Sequence, residues 1–346
     1  MHAYKNILII RTDRIGDVVL TTPAIHALRK TFPQARLTML VTAATRDLVL
    51  GNPDLDEILV DDRQSAHRGH WGFLKLIQNV RNKNFDLAVN FHTKRRTNLL
   101  CFLARVPQRI GYRNEKFGFL LTHQIPDGRS RGIKHETEYC LDVVKALGAE
   151  DSSPKTFVPL QREAEAWAER FLTECQLIHS ERIVAVHPGA SCPTRQWPTK
   201  NFIELIKRVT EKYSCPVLLI GGADLPKVAP ELMEQLPMTV INLTGKTSLA
   251  QLVSILKRCR LLISNDSGPV HLADAIGTPV VSIFTRNQPG INPERWRPLG
   301  ERSRVVVTPF QGSMSFAKGE KLDPKYLELI PVEEVLEAVD ALYKLC

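Results

Sequence analysis

Short apolar runs alternate along the whole chain with longer segments in which apolar residues recur at helical spacing. A short apolar run bounded by turn residues is typical of a buried strand, and the longer segments are typical of amphipathic helices. Repeated strand–helix units of this size favour parallel sheets that are covered by helices on both faces. The pattern therefore predicts an α/β protein with two doubly wound domains in series.

The predicted elements fall into two groups on either side of residue 150. In the first group the strands are 5–11, 36–42, 58–60, 86–91 and 108–111, and the helices are 18–31, 73–81, 97–104 and 136–147. In the second group the strands are 183–187, 217–220, 240–242, 261–264 and 280–284, and the helices are 161–175, 201–212, 225–236, 249–257, 270–276 and 332–343. Residues 151–155 interrupt the alternation, so we predict domains at 1–155 and 156–346. The last helix, 332–343, could pack on either domain.

Ligands of open α/β sheets bind at the carboxyl ends of the strands, so we expect the chemistry in the loops that follow them. The first such loop runs from Arg11 to Asp17. Asp17 would lie in the first turn of the following helix, where a negative charge stabilises the helix by about 0.3–1 kcal/mol through its dipole. Asp13 could equally be a cap. The alternative is that Asp17 places a carboxylate at the mouth of a cleft, where it would suit a general base.

Two loops of the second half combine features of a phosphate site. The loop at 187–198 offers small residues, hydroxyl groups and the cation Arg195, which suit a pyrophosphate, although we expect its Trp197 to fill the core. The loop at 264–275 begins a helix that Asp266 or Ser267 would cap, with Gly268 leaving the helix start unobstructed. Free N–H groups at such a helix start bind anions.

The net charge of +9 is unevenly distributed along the chain. Residues 1–150 carry 23 basic and 15 acidic side chains, whereas the remainder carries 23 and 22. A basic half favours an anionic partner, which is a nucleic acid, an anionic membrane surface, or a phosphorylated or carboxylated substrate. No apolar run is long enough to span a bilayer. Seven scattered cysteines without a Cys-x-x-Cys pair indicate neither zinc nor a disulfide framework, so we expect a reducing, cytoplasmic location.

Taken together, the loops resemble those of glycosyltransferase family 9, the ADP-heptose:lipopolysaccharide heptosyltransferases. The resemblance extends from about residue 5 to residue 298 and depends on the order and spacing of several motifs. These motifs are Ile15-Gly16-Asp17-Val18, Thr22-Pro23-Ala24, His187-Pro188-Gly189, Trp197-Pro198, Gly221-Gly222-Ala223-Asp224, Leu243-Thr244-Gly245 and Asn265-Asp266-Ser267-Gly268-Pro269. Family members often carry Lys where this chain has Arg195, which retains the cation but changes its geometry.

The resemblance implies a GT-B fold, in which two Rossmann-like domains face one another across a cleft. It implies inverting transfer of heptose from ADP-heptose to a hydroxyl of the lipopolysaccharide inner core, with Asp17 as general base. The donor diphosphate and sugar would be bound by Ser191, Arg195, Asp266, Ser267, Gly268 and His271, and the nucleotide by Asp224, Thr244 and Gly245. We expect the acceptor to contact Asp13, Arg14, Lys94, Arg95 and Arg96.

The basic domain at 1–155 then becomes the acceptor domain, and the domain at 156–346 binds the nucleotide sugar. The positive charge of the first would suit an anionic lipid-linked oligosaccharide at the cytoplasmic face of the inner membrane, where we expect peripheral association. We expect no required cofactor, no metal and no nucleic-acid partner. The alternatives are another GT-B glycosyltransferase or a nucleotide-sugar epimerase with a different nucleotide sugar. A more distant alternative is a non-enzymatic nucleic-acid-binding protein.

Overall fold

A computed structural model of the chain describes residues 4–150, 153–222, 229–309 and 324–344. Backbone contacts divide the chain into two units. The first unit is residues 1–130 with 134–159, and the second is residues 131–133 with 160–346. No helix in the described ranges is long and apolar enough to cross a membrane.

The first unit contains a six-stranded, wholly parallel sheet in the order β3-β2-β1-β4-β5-β6. Its strands are β1 (Asn6–Ile10), β2 (Arg36–Thr42), β3 (Glu57–Asp61), β4 (Leu87–Asn90), β5 (Gln108–Tyr112) and β6 (His123–Ile125). Its helices are α1 (Ile15–Val19), α2 (Thr22–Thr31), α3 (Gly69–Asn82), α4 (Arg95–Leu103) and α5 (Glu136–Lys145). Short 3₁₀ helices occupy 43–48, 118–120 and 129–131.

The second unit contains another six-stranded parallel sheet, in the order β12-β11-β10-β7-β8-β9. Its strands are β7 (Val184–His187), β8 (Val217–Leu219), β9 (Val240–Asn242), β10 (Leu261–Asn265), β11 (Val280–Phe284) and β12 (Ser303–Val307). Its helices are α6 (Arg162–Glu174), α7 (Thr199–Tyr213), α8 (Ala229–Gln235), α9 (Leu249–Lys257), α10 (Gly268–Ala275), α11 (Pro293–Trp296) and α12 (Val332–Tyr343). Further 3₁₀ helices occupy 193–195 and 324–329.

Numbered within each unit, both sheets have the strand order 3-2-1-4-5-6 of a Rossmann fold. The order reverses between β1 and β4 in the first unit and between β7 and β10 in the second. Chain connections leave these central strands toward opposite faces of the sheet, which opens a crevice at the carboxyl ends of the strands. Each unit therefore has one ligand-binding edge that its topology defines.

The predicted two-sheet α/β architecture of the GT-B class is confirmed, and four elements differ from the prediction, one of which is the unpredicted four-residue helix α11. The helix predicted at 18–31 is divided into α1 and α2, because Pro23 lacks an N–H and its ring would clash with the carbonyl of Val19 in a continuous helix. The short strands β6 and β12 were not predicted. Both lie at sheet edges and have short apolar runs, with one apolar residue in β6 and three valines in β12. Of the helix predicted at 225–236, residues 225–228 lie outside the described residues.

The core of the second unit is built around Trp197, which is completely buried. Its indole Nε1 donates to the carbonyl of Ile330 at 2.9 Å, and its ring packs edge-on against Phe202 with 5.0 Å between centroids. The apolar face of α12 joins the same core through Val335 and Val339. The last helix thus packs on the second unit, next to α7 and strands β10 to β12.

We expect Trp197→Ala to destabilise the protein by about 3–5 kcal/mol, because the substitution leaves a large cavity and an unpaired carbonyl at Ile330. Thermal unfolding followed by circular dichroism would measure the fall in midpoint. Trp71→Ala is the matched control, since that indole is 84% exposed. An equal loss in both variants would contradict the role given to Trp197.

Candidate functional site

A buried arginine lies where β1 ends, at the strand reversal of the first sheet. The guanidinium of Arg11 donates from Nε to Asp13 Oδ1 at 2.9 Å and from Nη2 to Asp17 Oδ1 at 2.5 Å. The same Nη2 lies 3.0 Å from Glu136 Oε1, at the start of α5. One buried cation is therefore surrounded by three carboxylates, and it holds Asp17 at the edge where a ligand would bind.

The excess of carboxylates alters the titration of Asp13. Burial raises the pKa of Asp13 to about 6, the Arg11 charge opposes this shift, and the charges of Asp17 and Glu136 reinforce it. Since the three carboxylates face one arginine that does not titrate, a proton is held in this group at mildly acidic pH. The arrangement can orient a carboxylate and keep it basic.

His92 follows β4 and lies beside the same group. Its Nδ1 is 3.0 Å from the Thr12 hydroxyl, and its Nε2 is 3.9 Å from Asp13 Oδ2. Thr12 also accepts a hydrogen bond from Arg63 Nη2 at 3.0 Å. Burial, followed by the nearby charge of Arg11, lowers the pKa of His92 to about 3. The imidazole is therefore neutral near pH 7.

The predicted basic residues lie at the start of α4, with different surroundings. Arg96 makes a bidentate pair with buried Asp61, at 2.9 and 2.8 Å, and so braces the loop after β3. Arg95 is exposed, with its guanidinium 5.9 Å from the ring centre of Phe117. Burial and the adjacent Lys116 lower the pKa of Lys94. Arg14, the N-cap residue of α1, is exposed.

In the second unit, a serine–histidine triangle joins the ends of β7 and β10. His187 Nδ1 lies 3.2 Å from Ser264 Oγ and 3.0 Å from Ser267 Oγ, and the two hydroxyls are 3.0 Å apart. Ser267 occupies the N-cap position of α10, yet in the described part of the chain its side chain makes no capping hydrogen bond. The first N–H groups of α10 at Gly268 therefore keep their capacity to bind an anion.

Asn265 fixes the loop that follows β7. Its Nδ2 donates to the carbonyls of Pro188 and Gly189 at 2.8 and 3.2 Å, and its Oδ1 accepts from the N–H of Trp197 at 2.9 Å. This buried amide thereby holds both ends of the predicted phosphate loop against β10. The loop carries Ser191, which is exposed.

Arg195 and Arg286 place two cations beside one carboxylate at this edge. Arg195 Nη1 is 3.2 Å from Oδ2 of buried Asp266, and Arg286 Nη1 donates to the Thr194 hydroxyl at 3.0 Å. Burial and the nearby charge of Arg195 lower the pKa of Arg286, because a like charge close by disfavours the charged form. An anionic ligand would relieve this repulsion. His271 is buried one turn into α10.

The predicted nucleotide-binding residues lie at a different place in the same sheet. Thr244 and Gly245 follow the edge strand β9, which β8 separates from β7. The Thr244 hydroxyl donates to Asn242 Oδ1 at 2.7 Å, and the Gly245 N–H donates to the carbonyl of Gly221 at 2.9 Å. Asp224 lies outside the described residues.

Sequence reasoning missed several residues that shape these edges. Arg11, His92 and Glu136 act on the predicted carboxylates, and Asn265 and Arg286 complete the second edge. A polar residue immediately after a buried strand was a usable signal for Arg11, His92 and Arg286. Nothing in the local sequence around Glu136 pointed to a partner 125 positions earlier. Within the described ranges, no group of three or more His, Cys, Asp or Glu side chains could hold a metal ion.

The raised pKa of Asp13 predicts a specific pH dependence of stability. The pKa is about 6 in the folded protein and about 3.9 when unfolded, so the folded state binds more protons between these values and loses stability as the pH rises through them. Asp13→Asn has no carboxyl group to titrate at this position. We therefore expect its free energy of unfolding, relative to that of the wild type, to rise by up to about 3 kcal/mol as the pH increases from 4 to 7. Urea unfolding at several pH values would measure the difference. The surface variant Glu163→Gln should follow the wild type throughout, and a constant offset for Asp13→Asn would refute the prediction.

Comparison with known proteins identifies the family of this chain. The family model described as "Glycosyltransferase family 9 (heptosyltransferase)" matches residues 73–326, which is more than half of the chain. "Lipopolysaccharide heptosyltransferase 2" of Escherichia coli K12 is 25% identical and aligns over 97% of this chain and 98% of its own.

Two solved structures share the fold over nearly the whole chain. The first is a family 9 glycosyltransferase from Veillonella parvula, with a TM-score of 0.87, 23% identity and coverage of 100% of this chain and 99% of the other. The second is the ADP-heptose lipopolysaccharide heptosyltransferase II of E. coli, with a TM-score of 0.78, 23% identity and coverage of 98% and 99%. The chain belongs to glycosyltransferase family 9, the heptosyltransferases.

Proposed function

We propose that this enzyme transfers heptose from ADP-heptose to a hydroxyl of the lipopolysaccharide inner core, with inversion at the anomeric carbon. The observation that carries the proposal is the cation-rich helix start at the β7/β10 edge, in a chain that belongs to a heptosyltransferase family. Relatives named for this reaction and this donor support the choice of substrates.

The second unit offers the features that a diphosphate requires. Arg195 and Arg286 supply positive charge, and the first N–H groups of α10 supply directed donors. The hydroxyls of Ser191 and Ser267 lie on the loops that carry these groups and would donate to the phosphate oxygens. Fixed donors of this kind each contribute a few kcal/mol to the stabilisation of a departing anion. Because these groups neutralise the leaving diphosphate, the proposed reaction makes no use of a divalent metal.

Asp266 and His271 would contact the sugar and the diphosphate from the end of β10 and the first turns of α10. Both side chains are buried, and Asp266 is held by Arg195. Thr244 and Gly245, at the end of β9, would contact the adenosine. In this proposal the residues after 155 form the donor domain, and the residues before it form the acceptor domain.

The general base is Asp17 in this proposal. It takes the proton of the acceptor hydroxyl while that oxygen forms a bond to the heptose C1, and the electron pair of the C1–O bond leaves with the β-phosphate of ADP. Arg11 holds and orients the Asp17 carboxylate by the 2.5 Å contact. The carboxylates of Asp13 and Glu136 bind the same guanidinium and fix its position.

The acceptor would bind where cations collect at the start of α4. Lys94 lies next to Lys116, and burial together with this like charge lowers the pKa of Lys94. An acceptor phosphate or carboxylate between the two ammonium groups would remove that repulsion. Arg95 and Arg14 are exposed at the same edge of the sheet. We place the reaction at the cytoplasmic face of the inner membrane, where such an acceptor is lipid-linked.

We expect Asp17→Asn to reduce kcat by about 10²–10⁴-fold, since an amide cannot accept the proton, and to leave the Kd for ADP within about twofold. Transfer is measured as ADP release that depends on a delipidated inner-core acceptor, and ADP binding by calorimetry. Asp54→Asn is the matched control, because it removes a carboxylate of the first unit that pairs with His26 on α2. Wild-type turnover in Asp17→Asn would rule out this residue as the base.

We expect Arg195→Ala to weaken ADP binding by about tenfold or more, because a charge-assisted hydrogen bond to phosphate is lost and Arg286 remains alone. Arg195→Lys should restore part of the affinity, since the charge returns without the planar fork. The exposed variant Lys207→Ala on α7 serves as control. Unchanged affinity in Arg195→Ala would remove Arg195 from the donor site.

The identity of the donor is tested separately. Turnover of UDP- or GDP-sugars in place of ADP-heptose would show that ADP-heptose is not the donor.

A further inference from the structure

The net positive charge of residues 1–150 comes from one stretch of sequence. Residues 63–126 carry twelve Lys and Arg side chains and two acidic ones, Asp86 and Glu115. The rest of residues 1–150 carries eleven basic and thirteen acidic side chains. The excess charge therefore belongs to the part of the chain that contains α3, α4 and the turn at 118–120, rather than to the unit as a whole.

The same stretch exposes large apolar side chains. On α3, Trp71 is 84% and Leu74 is 51% exposed, and on α4, Phe102 is 46% and Leu103 is 40% exposed. In the turn after β5, Phe119 is 74% exposed. Single exposed apolar residues are ordinary, whereas a group of them on adjacent elements marks an interaction surface.

The two helices lie side by side on one face of the sheet. The inner residues of α3, such as Leu76 and Val80, share a buried cluster with Leu100 and Cys101 of α4 and with Leu8 of β1. The exposed apolar residues of both helices lie on the outward side. Helices α2 and α5 pack on each other and lie outside this cluster, on the opposite face.

Aromatic and basic contacts connect the turn at 118–120 to α4. Phe119 packs edge-on against Phe117 with 5.8 Å between ring centres, and Arg95 of α4 lies 5.9 Å from the Phe117 ring. Arg109 lies 5.7 Å from the ring of Phe102 and donates to the carbonyl of Leu120 at 2.8 Å. The turn and the outward side of α4 therefore form a continuous surface.

We propose that this surface, the α3–α4 face, docks the protein on an anionic lipid bilayer. The face consists of Trp71, Leu74, Phe102, Leu103 and Phe119, with Lys75 and Arg105 among the cations beside them. Aromatic rings sit at the level of lipid headgroups, aliphatic side chains enter the acyl boundary, and Lys and Arg bind anionic headgroups. The charge and the exposed side chains of the face complement such a membrane. The two exposed leucines favour lipid over RNA, because leucine cannot stack on a base.

This inference goes beyond the proposed reaction and rests on it in one respect. Because the proposed acceptor is lipid-linked, docking would bring the enzyme to the surface that carries its acceptor. Docking through the α3–α4 face would hold the acceptor edge of the first sheet, where α3 and α4 begin, close to the membrane surface. Binding to vesicles is measured without any substrate, so docking and transfer are tested separately.

The experiment is co-sedimentation of the full chain with phosphatidylcholine vesicles, with and without phosphatidylglycerol. We expect binding only when the anionic lipid is present, with a loss of about tenfold or more in Lys75→Glu/Arg105→Glu and in Trp71→Ala/Phe119→Ala. Lys30→Glu/Lys145→Glu makes the same charge change on α2 and α5, and Met238→Ala removes a fully exposed apolar side chain from the second unit. Both controls should bind like the wild type.

Transfer to a delipidated acceptor should be unchanged in all of these variants, provided that their unfolding midpoints match the wild type. Equal loss in the opposite-face control would overturn the proposal, as would equal binding to neutral vesicles. The proposal also fails if Trp71→Ala/Phe119→Ala converts a dimer to a monomer, or if an arbitrary RNA duplex competes fully with the vesicles. If vesicles bind as expected but no heptose is transferred to any acceptor, the proposed reaction fails while the docking surface stands.

Discussion

Both units depend on the pairing of two central parallel strands whose following loops leave toward opposite faces. In the first unit these strands are β1 and β4, and in the second β7 and β10. The register brings Ile10 beside Asn90 and Ser264 beside His187, so the residues that follow emerge together at one edge. The groups placed in the proposed chemistry lie near strand ends or helix starts, because ligands of an open α/β sheet bind at the carboxyl ends of its strands.

The two edges share a topology and differ in charge. At the first, one buried arginine faces three carboxylates, and His92 is kept neutral by burial. At the second, Arg195 and Arg286 face one carboxylate, Asp266. A carboxylate-rich edge is suited to accept a proton, and a cation-rich helix start is suited to hold a diphosphate. In the proposed reaction the same fold supplies a base in one unit and an anion site in the other, and the difference lies in the residues after the strands.

Prediction from sequence succeeded where local pattern decides the outcome. Most strands and helices appear within about two residues of their predicted bounds, since buried strands and amphipathic helices carry a strong periodic signal. It failed at the break between α1 and α2, which local hydrogen bonds and Pro23 produce, and at the edge strand β12. Thr21 donates to the Asp17 carbonyl and Thr22 to the Val19 carbonyl, so the hydroxyls close the end of α1 where Pro23 prevents a longer helix. Among the residues that the structure describes, the strand β12 pairs only with β11, and within it Val306 alone is buried.

The sequence by itself determined the fold class and the family, because these depend on periodicity and on the order of motifs along the chain. It also showed that the first half is basic. Only the tertiary structure decided that Arg11 binds both Asp17 and Glu136, that Arg96 pairs with Asp61, and that Arg286 lies near Arg195. The physical reason is that the charge state and orientation of a side chain depend on neighbours brought together by folding. Residues 125 positions apart in the chain then share a single hydrogen-bonded group.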